Sequence, residues 1–431
     1  MLSRNFTLVT LCLLWLSCIL AAPIKHSSLK LRQEDGHWVA TWTAMPQLVE
    51  PSNMPPSPFS GFVTFRDATL RQTLHMSIGA EKLRLQISNT FGGSDLPITE
   101  ASISFPTSGS AGVNSVDTTT LKSLTFNGSN SVIVPQGQVT YTDPIDFQVD
   151  PQSMITVSLY FQDGQSGSNI TGHPGSRTTS WIQQGNHVNG SSVAGASTTH
   201  WYFLTAVEAW APITTSALVI LGDSITDGRG STDNANNRWP DLLLARMQEE
   251  GITDIAVCNQ AAGGNTVLTG GLGPPLMDRY KRDLLAVAGV KYAIIFEGVN
   301  DIGSASTDYD TQARISNNLT TAFQTIATDS KEAGLVVFGA TITPFGGNGQ
   351  SYSNPTRDQT RQTINEWILS GGNGSFDGTI DFATFVANPS NAASLATQYD
   401  SGDHLHPNVA GYQTMADQFP LDIFKSKRFD T

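Results

Sequence analysis

Ser224, Asp403, His406 and the amide-bearing positions Gly264 and Asn300 are residues whose types and spacing could do chemistry together. Ser224 stands in Leu221-Gly222-Asp223-Ser224-Ile225-Thr226-Asp227-Gly228, directly after the apolar run 217–221. Such a run reads as a fully buried strand, and Gly-Asp-Ser ends it and turns the chain. A serine there is held on a rigid support, at the strand edge where open α/β sheets bind their ligands. A hydroxyl becomes nucleophilic only as a base removes its proton. His406 can serve as that base and then as the acid, because imidazole exchanges protons near neutral pH. Asp403, three residues earlier, would reach the ring on a helical turn, fixing its tautomer and stabilising the imidazolium. His404 is a rival base two residues away. Acyl transfer also needs donors for a developing oxyanion. The Ser224 backbone amide, the Asn300 side chain and the amide of Gly263 or Gly264 could supply them, since glycine lets the backbone approach a substrate closely.

Other readings of the same residues are weaker. The Gly-x-Ser-x-Gly elbow is absent, because Thr226 stands where the second glycine would be. His404 and His406 could suggest metal ligation, but no third ligand or second histidine cluster is visible, so no metal is expected. Gly263-Gly264-Asn265 lacks the lysine of a phosphate loop. Asp223, Glu297 and Asp301 flank the blocks and are read as orienting loop amides. Trp239 is read as packing against the first helix, and Trp38, Trp42, Trp181 and Trp201 as core.

Four stretches occur in order: the Ser224 block, Asn259-Gln260-Ala261-Ala262-Gly263-Gly264-Asn265-Thr266, Gly298-Val299-Asn300-Asp301, and Asp403-His404-Leu405-His406-Pro407. Together they resemble the SGNH (GDSL-type) hydrolase superfamily, over roughly 217–419. Arg238-Trp239-Pro240-Asp241 and Gly402-Asp403-His404-Leu405-His406-Pro407 are similar to stretches of its secreted microbial esterases and acylhydrolases. The resemblance implies Ser224 as nucleophile, His406 as general base and acid, and Asp403 orienting it. It places the oxyanion hole at the Ser224 backbone, Gly264 and Asn300. Its Asp-x-x-His spacing selects His406 over His404, and its Asn-to-Gly spacing from Asn259 selects Gly264 over Gly263. Ala261 departs from the pattern, where relatives often carry glycine. The implied activity is carboxylic-ester hydrolysis through an acyl-enzyme, with no cofactor.

The 431 residues suggest two domains, and a net charge of -13 makes nucleic acid or an anionic membrane a poor partner. Residues 1–22 read as a secretory signal peptide and 23–36 as a flexible leader. Secretion, with no membrane association after signal removal, is the expected localisation. Cys12 and Cys18 leave with the signal, and Cys258 remains as a core thiol. Asn127, Asn169, Asn189, Asn318 and Asn373 are candidate glycan acceptors.

Positioning these residues falls to two kinds of structure. From 37 to 211, short alternating strands such as 83–88, 131–134, 138–141 and 154–160 are punctuated by turn residues, with no amphipathic helix. They predict an all-β sandwich, jelly-roll-like. From 212 to 431 strands and helices alternate. Strands are predicted near 217–221, 254–258, 291–296, 335–341 and 379–382, and helices near 237–249, 275–288, 310–332, 356–369 and 407–418. That pattern predicts an α/β domain with a five-stranded parallel sheet between helices. Loops 342–355 and 384–402 are long and polar, which suits a binding site. The expected substrate is an acetylated or short-acyl plant polysaccharide. A lipase or arylesterase is the alternative, followed by a carbohydrate-binding protein with a relic hydrolase domain.

Overall fold

A computed structural model describes residues 36–425. The signal peptide and the leader, apart from Gly36, lie outside the described residues, as do Cys12 and Cys18. Gly36 already belongs to a strand, Gly36–Thr43.

The C-terminal region is a parallel sheet in the spatial order Ile255–Ala261, Ser216–Gly222, Val290–Phe296, Val336–Ala340, Gly378–Ile380. The first strand in sequence is therefore internal, and the chain leaves it in opposite directions on successive crossovers. This reversal opens a crevice at its C-terminal end. Every residue of Ser216–Gly222 is buried, as its unbroken apolar run requires. Helix Trp239–Glu249 packs against Val409–Asp417, and Tyr309–Glu332 against Pro355–Leu369.

Two local expectations are corrected. The segment read as one helix over 275–288 is a short helix, Leu276–Tyr280, continued by a wide π-type turn, Lys281–Leu285. The last helix starts at Val409 rather than at Pro407. Asn408 caps it by accepting from the Gly411 amide, so the polar cap residue, not the proline, sets the boundary.

Beside three smaller sheets, the N-terminal region is built on two large antiparallel ones. One contains Gly36–Thr43, Leu204–Pro212 and Ala80–Ser88, the last also pairing with Val139–Tyr141 and Ile145–Val149. The other has six strands centred on Ala68–His75 and Met154–Phe161. Among the described residues of this region the only helical pieces are single turns, Pro51–Asn53 and Thr107–Gly109.

This β region covers an edge of the parallel sheet. Ile255–Ala261 is an outer strand, and its outward backbone groups would otherwise be open to another chain. Ser77 Oγ donates to Val257 O at 2.8 Å and accepts from Val257 N at 3.1 Å. Thr43 Oγ1 donates to Asn259 O at 3.1 Å, and Cys258 Sγ lies 3.3 Å from Ala40 O. Apolar residues of both regions form one continuous core.

Ser77→Ala would leave the buried Val257 amide and carbonyl without this partner. The expected loss of unfolding free energy is about 1–3 kcal/mol, measured by urea denaturation. A loss below about 0.5 kcal/mol would show that the edge is satisfied in another way.

Candidate active site

Gly222 closes the strand Ser216–Gly222 because its successor must turn sharply. A Cβ at Gly222 would lie 2.7 Å from Thr226 Oγ1. Asp223 is extended, and its carboxylate accepts from Ile225 N at 2.9 Å, capping a single helical turn, Ser224–Asp227. Gly228, at φ 100°, ends that turn in the left-handed region. Asn259 holds the turn from the neighbouring strand: its Nδ2 donates to Thr226 O at 2.9 Å. Trp239 is fully buried beneath the turn, with Nε1 donating to Thr226 Oγ1 at 3.2 Å and the Phe382 ring 4.9 Å away.

Ser224 Oγ lies 2.8 Å from His406 Nε2, and His406 Nδ1 lies 2.6 Å from Asp403 Oδ2. The segment joining Asp403 to His406 is not a helical turn. It is a bend in which Asp403 Oδ1 accepts from the backbone amides of Leu405 and His406, at 3.0 and 2.9 Å. One carboxylate thus fixes both the backbone and the ring. Burial alone would raise the Asp403 carboxyl, but hydrogen bonds from the His406 ring and amide hold it well below the usual range. An ionised Asp403 accepts, so Nδ1 carries the proton and Nε2 is the lone-pair nitrogen facing Ser224.

His404 points elsewhere. Its Nδ1 lies 2.6 Å from Asp400 Oδ2, and both line a separate cavity of about 560 Å³. Ser224 and His406 instead border a cavity of about 390 Å³ that also contains Gly264, Asn300 and Tyr352.

The proposed oxyanion donors converge there. Ser224 N is the first amide of its helical turn and has no acceptor within it. Gly263 N is committed to Asp227 Oδ2 at 2.9 Å, whereas the Gly264 amide has no hydrogen-bond partner among the described residues. Gly264 sits at φ +70° with Leu272 against it, where a Cβ would meet Leu272 Cδ1 at 3.0 Å. Asn300 Nδ2 donates one hydrogen to Asn265 O at 2.7 Å, and Asn300 Oδ1 accepts from Tyr352 OH at 3.0 Å. The amide is thereby oriented, with one N–H left over.

Several supporting residues escaped the sequence reading. His173, from the β region, lies between Met45 O at 3.0 Å and Asp227 Oδ1 at 2.9 Å. This buried contact steadies the carboxylate that holds Gly263. No sequence pattern links His173 to Asp227 across 54 positions. Arg279, fully buried, donates to Gly222 O, Gln260 O and Asn265 Oδ1 and pairs with Glu297 at 3.1 Å. Asp223 and Asp301 do orient loop amides, Asp301 accepting from Val267 N and Leu268 N at 2.9 Å each. Glu297 does not: it is the ion-pair partner of Arg279.

Residues 220–414 match the model of the GDSL-like Lipase/Acylhydrolase family. The C-terminal region is a GDSL-type hydrolase domain. The chain is a carboxylic ester hydrolase, and an ester is its substrate. Solved structures similar to this domain include a lipase/acylhydrolase from Enterococcus faecalis, 21% identical with a TM-score of 0.37, covering 50% of this chain and 96% of that one. An acetyl xylan esterase from Geobacillus stearothermophilus is 20% identical with a TM-score of 0.35, covering 49% of this chain and 96% of that one. A GDSL-like lipase from Bacteroides thetaiotaomicron is 17% identical with a TM-score of 0.36, covering 49% and 89%. No curated protein matches the chain. Among the described residues no helix is long and apolar enough to cross a membrane.

Beneath the hydrolase site lies a store of buried acid. Burial pushes Asp223 up to about 7 and Asp301 to about 6. A carboxyl raised on folding binds a proton that the unfolded chain releases. Its stabilisation is complete below the ordinary carboxylate value and is lost as pH rises through the folded value. His200, which burial lowers from 6.5, acts in the opposite sense only below that pH. The urea midpoint should therefore fall between about pH 6.5 and about pH 8. A midpoint that is flat or rises over this interval would rule out the raised value for Asp223.

Proposed function

We propose that the protein is a secreted serine esterase that removes acetyl or similarly short acyl groups from plant polysaccharide through an acyl-enzyme. The observation that carries the chemistry is the chain of contacts Ser224 Oγ, His406, Asp403, at 2.8 and 2.6 Å, on the wall of a cavity. Nε2 of His406 takes the Ser224 proton as Oγ attacks the ester carbonyl. The tetrahedral oxyanion is received by the amides of Ser224 and Gly264 and by Asn300 Nδ2. His406 then protonates the departing alcohol, and the same nitrogen activates water to release the acid. Asp403 stabilises the imidazolium in both steps. No step requires a cofactor.

The acyl preference rests on the lining. Leu272, Leu405 and the Pro174 ring are its aliphatic groups, while Gly263, Gly264, Arg229 and the other β-region residues are small or polar. Of the other apolar side chains near the blocks, Phe345 is buried and borders the separate cavity, and Leu268 does not line this one. Each methylene without an apolar wall forfeits about 0.8 kcal/mol. Lipid or aryl esters are the second reading, favoured by Leu272, which is 50% exposed beside Gly264. A sugar platform on the β region finds no support in its tryptophans: Trp42 and Trp201 are buried edge-to-face, and Trp38 and Trp181 are half-buried. Secretion is supported by the leader pattern of 1–22 and by the exposure of all five acceptors, Asn127, Asn169, Asn189, Asn318 and Asn373. Regions 37–211 and 212–431 would act as one catalytic unit, since both border the cavity.

Ser224→Ala should lower turnover of p-nitrophenyl acetate by about 10⁶-fold with unchanged circular dichroism. His406→Ala should lose several orders of magnitude, and His404→Ala far less. A folded Ser224→Ala protein within about tenfold of wild type would remove the nucleophile assignment, and the reverse histidine ranking would move the base to His404.

Across p-nitrophenyl esters from acetate to palmitate, kcat/KM should be highest for short acyl groups, with acetate also released from acetylated xylan or pectin. A steady rise toward palmitate with no acetate released from either polymer would make the enzyme a lipase.

A further inference from the structure

The cavity at Ser224 is two-sided. The hydrolase domain contributes the nucleophile, the base, the oxyanion donors and the two leucines. The opposite wall comes from the β region: Pro174 and Gly175 line it, and its polar side chains are Gln47, Glu50, Asn53 and Arg177. None of these four polar residues belongs to a catalytic block, and no sequence motif marks them.

That wall is built rather than incidental. Gln47–Leu48 pairs with Thr171–His173 as backbone strands, and Val49 N donates to Ile170 O at 3.1 Å. Residues 51–53 form a helical turn, closed by Asn53 N to Glu50 O at 2.8 Å and anchored by Tyr202 OH to Asn53 O at 2.8 Å. His173, at the end of the same strand, binds Asp227 at the foot of the catalytic turn. The wall is thus fixed relative to Ser224 through a buried contact.

Its chemistry is specific. The Glu50 carboxylate accepts from Gln47 Nε2 through one oxygen, at 2.5 Å, and from Asn53 Nδ2 through the other, at 3.0 Å. Each carboxylate oxygen has two lone-pair sites, so one acceptor site remains on each. Two adjacent acceptors held in one plane match two adjacent hydroxyl donors. Arg177 commits Nη2 to Ser231 O and Asp233, at 2.8 and 3.0 Å, and keeps Nη1 as a donor. Arg229, 70% exposed with Asp403 no nearer than 3.9 Å, adds a second guanidinium. Acceptors and donors lining one polar cleft complement a polyol, whose hydroxyls do both.

We propose that this wall is the subsite for the alcohol half of the ester, that it recognises a vicinal diol of a sugar, and that Glu50 is its specificity-determining residue. The proposal rests on the reading of Ser224 as the nucleophile for its place in the reaction. The β region is then the substrate-selecting half of the active site and not a separate binding module.

The test uses the full chain and separates binding from turnover. Xylobiose is titrated calorimetrically into the Ser224→Ala protein, and into Ser224→Ala carrying also Glu50→Ala, Glu50→Gln or Asn53→Ala. Binding should weaken about 10- to 100-fold with Glu50→Ala, and less with Glu50→Gln, which keeps one acceptor oxygen. In the Ser224-containing enzyme, Glu50→Ala should lower kcat/KM for acetylated xylobiose at least about tenfold more than for p-nitrophenyl acetate, mainly through KM. Absence of xylobiose binding, equal losses on the two esters, or tighter binding of glycerol 3-phosphate than of xylobiose would overturn the proposal. Because the titration involves no turnover, a failed nucleophile assignment would show separately, as retained esterase activity in Ser224→Ala.

Discussion

One guanidinium, that of Arg279, holds the floor of the site together. It is wholly buried and reaches the last residue of the strand Ser216–Gly222 through Gly222 O, the neighbouring strand through Gln260 O, and the oxyanion loop through Asn265 Oδ1. Its ionic partners Glu297 and Asp283 come from the end of the third strand and from its own helical segment. Every block that bears on the reaction except the histidine turn is therefore referenced to one rigid fork. A buried cation of this kind is costly to desolvate, and removing one partner commonly costs about 3–5 kcal/mol. It persists because five acceptors meet it: two strand-end carbonyls, Gly222 O and Gln260 O, the Asn265 amide oxygen and two carboxylates. The chain Arg279, Asn265, Asn300 then carries this rigidity to the side chain facing the oxyanion.

The β region adds the second constraint. Its Ser77 and Thr43 hydroxyls complete the hydrogen bonding of the outer parallel strand, and its His173 completes that of Asp227. Both contacts are made by side chains of one region to groups that the hydrolase domain cannot satisfy alone. A parallel sheet with an open edge and a catalytic turn with an unsupported carboxylate would be exposed without it. The same packing brings Glu50 and Arg177 to the mouth of the cavity, so covering the edge and shaping the pocket are one arrangement.

The sequence made the parallel sheet legible because four of its five strands carry short apolar runs bounded by turn residues and separated by a helical period, Gly378–Ile380 being the exception. Strand ends then placed Ser224 and Asn300 at one edge by topology alone. The β region was legible as alternating strands, but its pairing was not: Gly36–Thr43 meets Leu204–Pro212 across most of the region, and periodicity carries no information on such partners. The same holds for His173, Tyr352, Glu50 and Arg279. Each acts through a contact set by tertiary packing, and each is of a residue type common in ordinary structural roles. Pro407 misled for a local reason. Proline suits a helix start, but the asparagine after it offers a side-chain acceptor to the Gly411 amide, and the cap determines where the helix begins.

The turn before that helix shows why residue type alone could not identify the base. His404 and His406 each have a carboxylate 2.6 Å from Nδ1, Asp400 for one and Asp403 for the other. Judged by that pair, either imidazole has an oriented ring and a countercharge. The backbone separates them. His404 adopts a left-handed conformation, φ 61°, while the Asp403 carboxylate gathers the amides of Leu405 and His406 into a bend. Successive histidines consequently face different cavities, and only His406 has a hydroxyl 2.8 Å from its second nitrogen. What makes an Asp-His pair a candidate for general-base chemistry is the third partner. Here the third partner is supplied by a serine 182 residues earlier in the chain, held at the reversal point of the sheet.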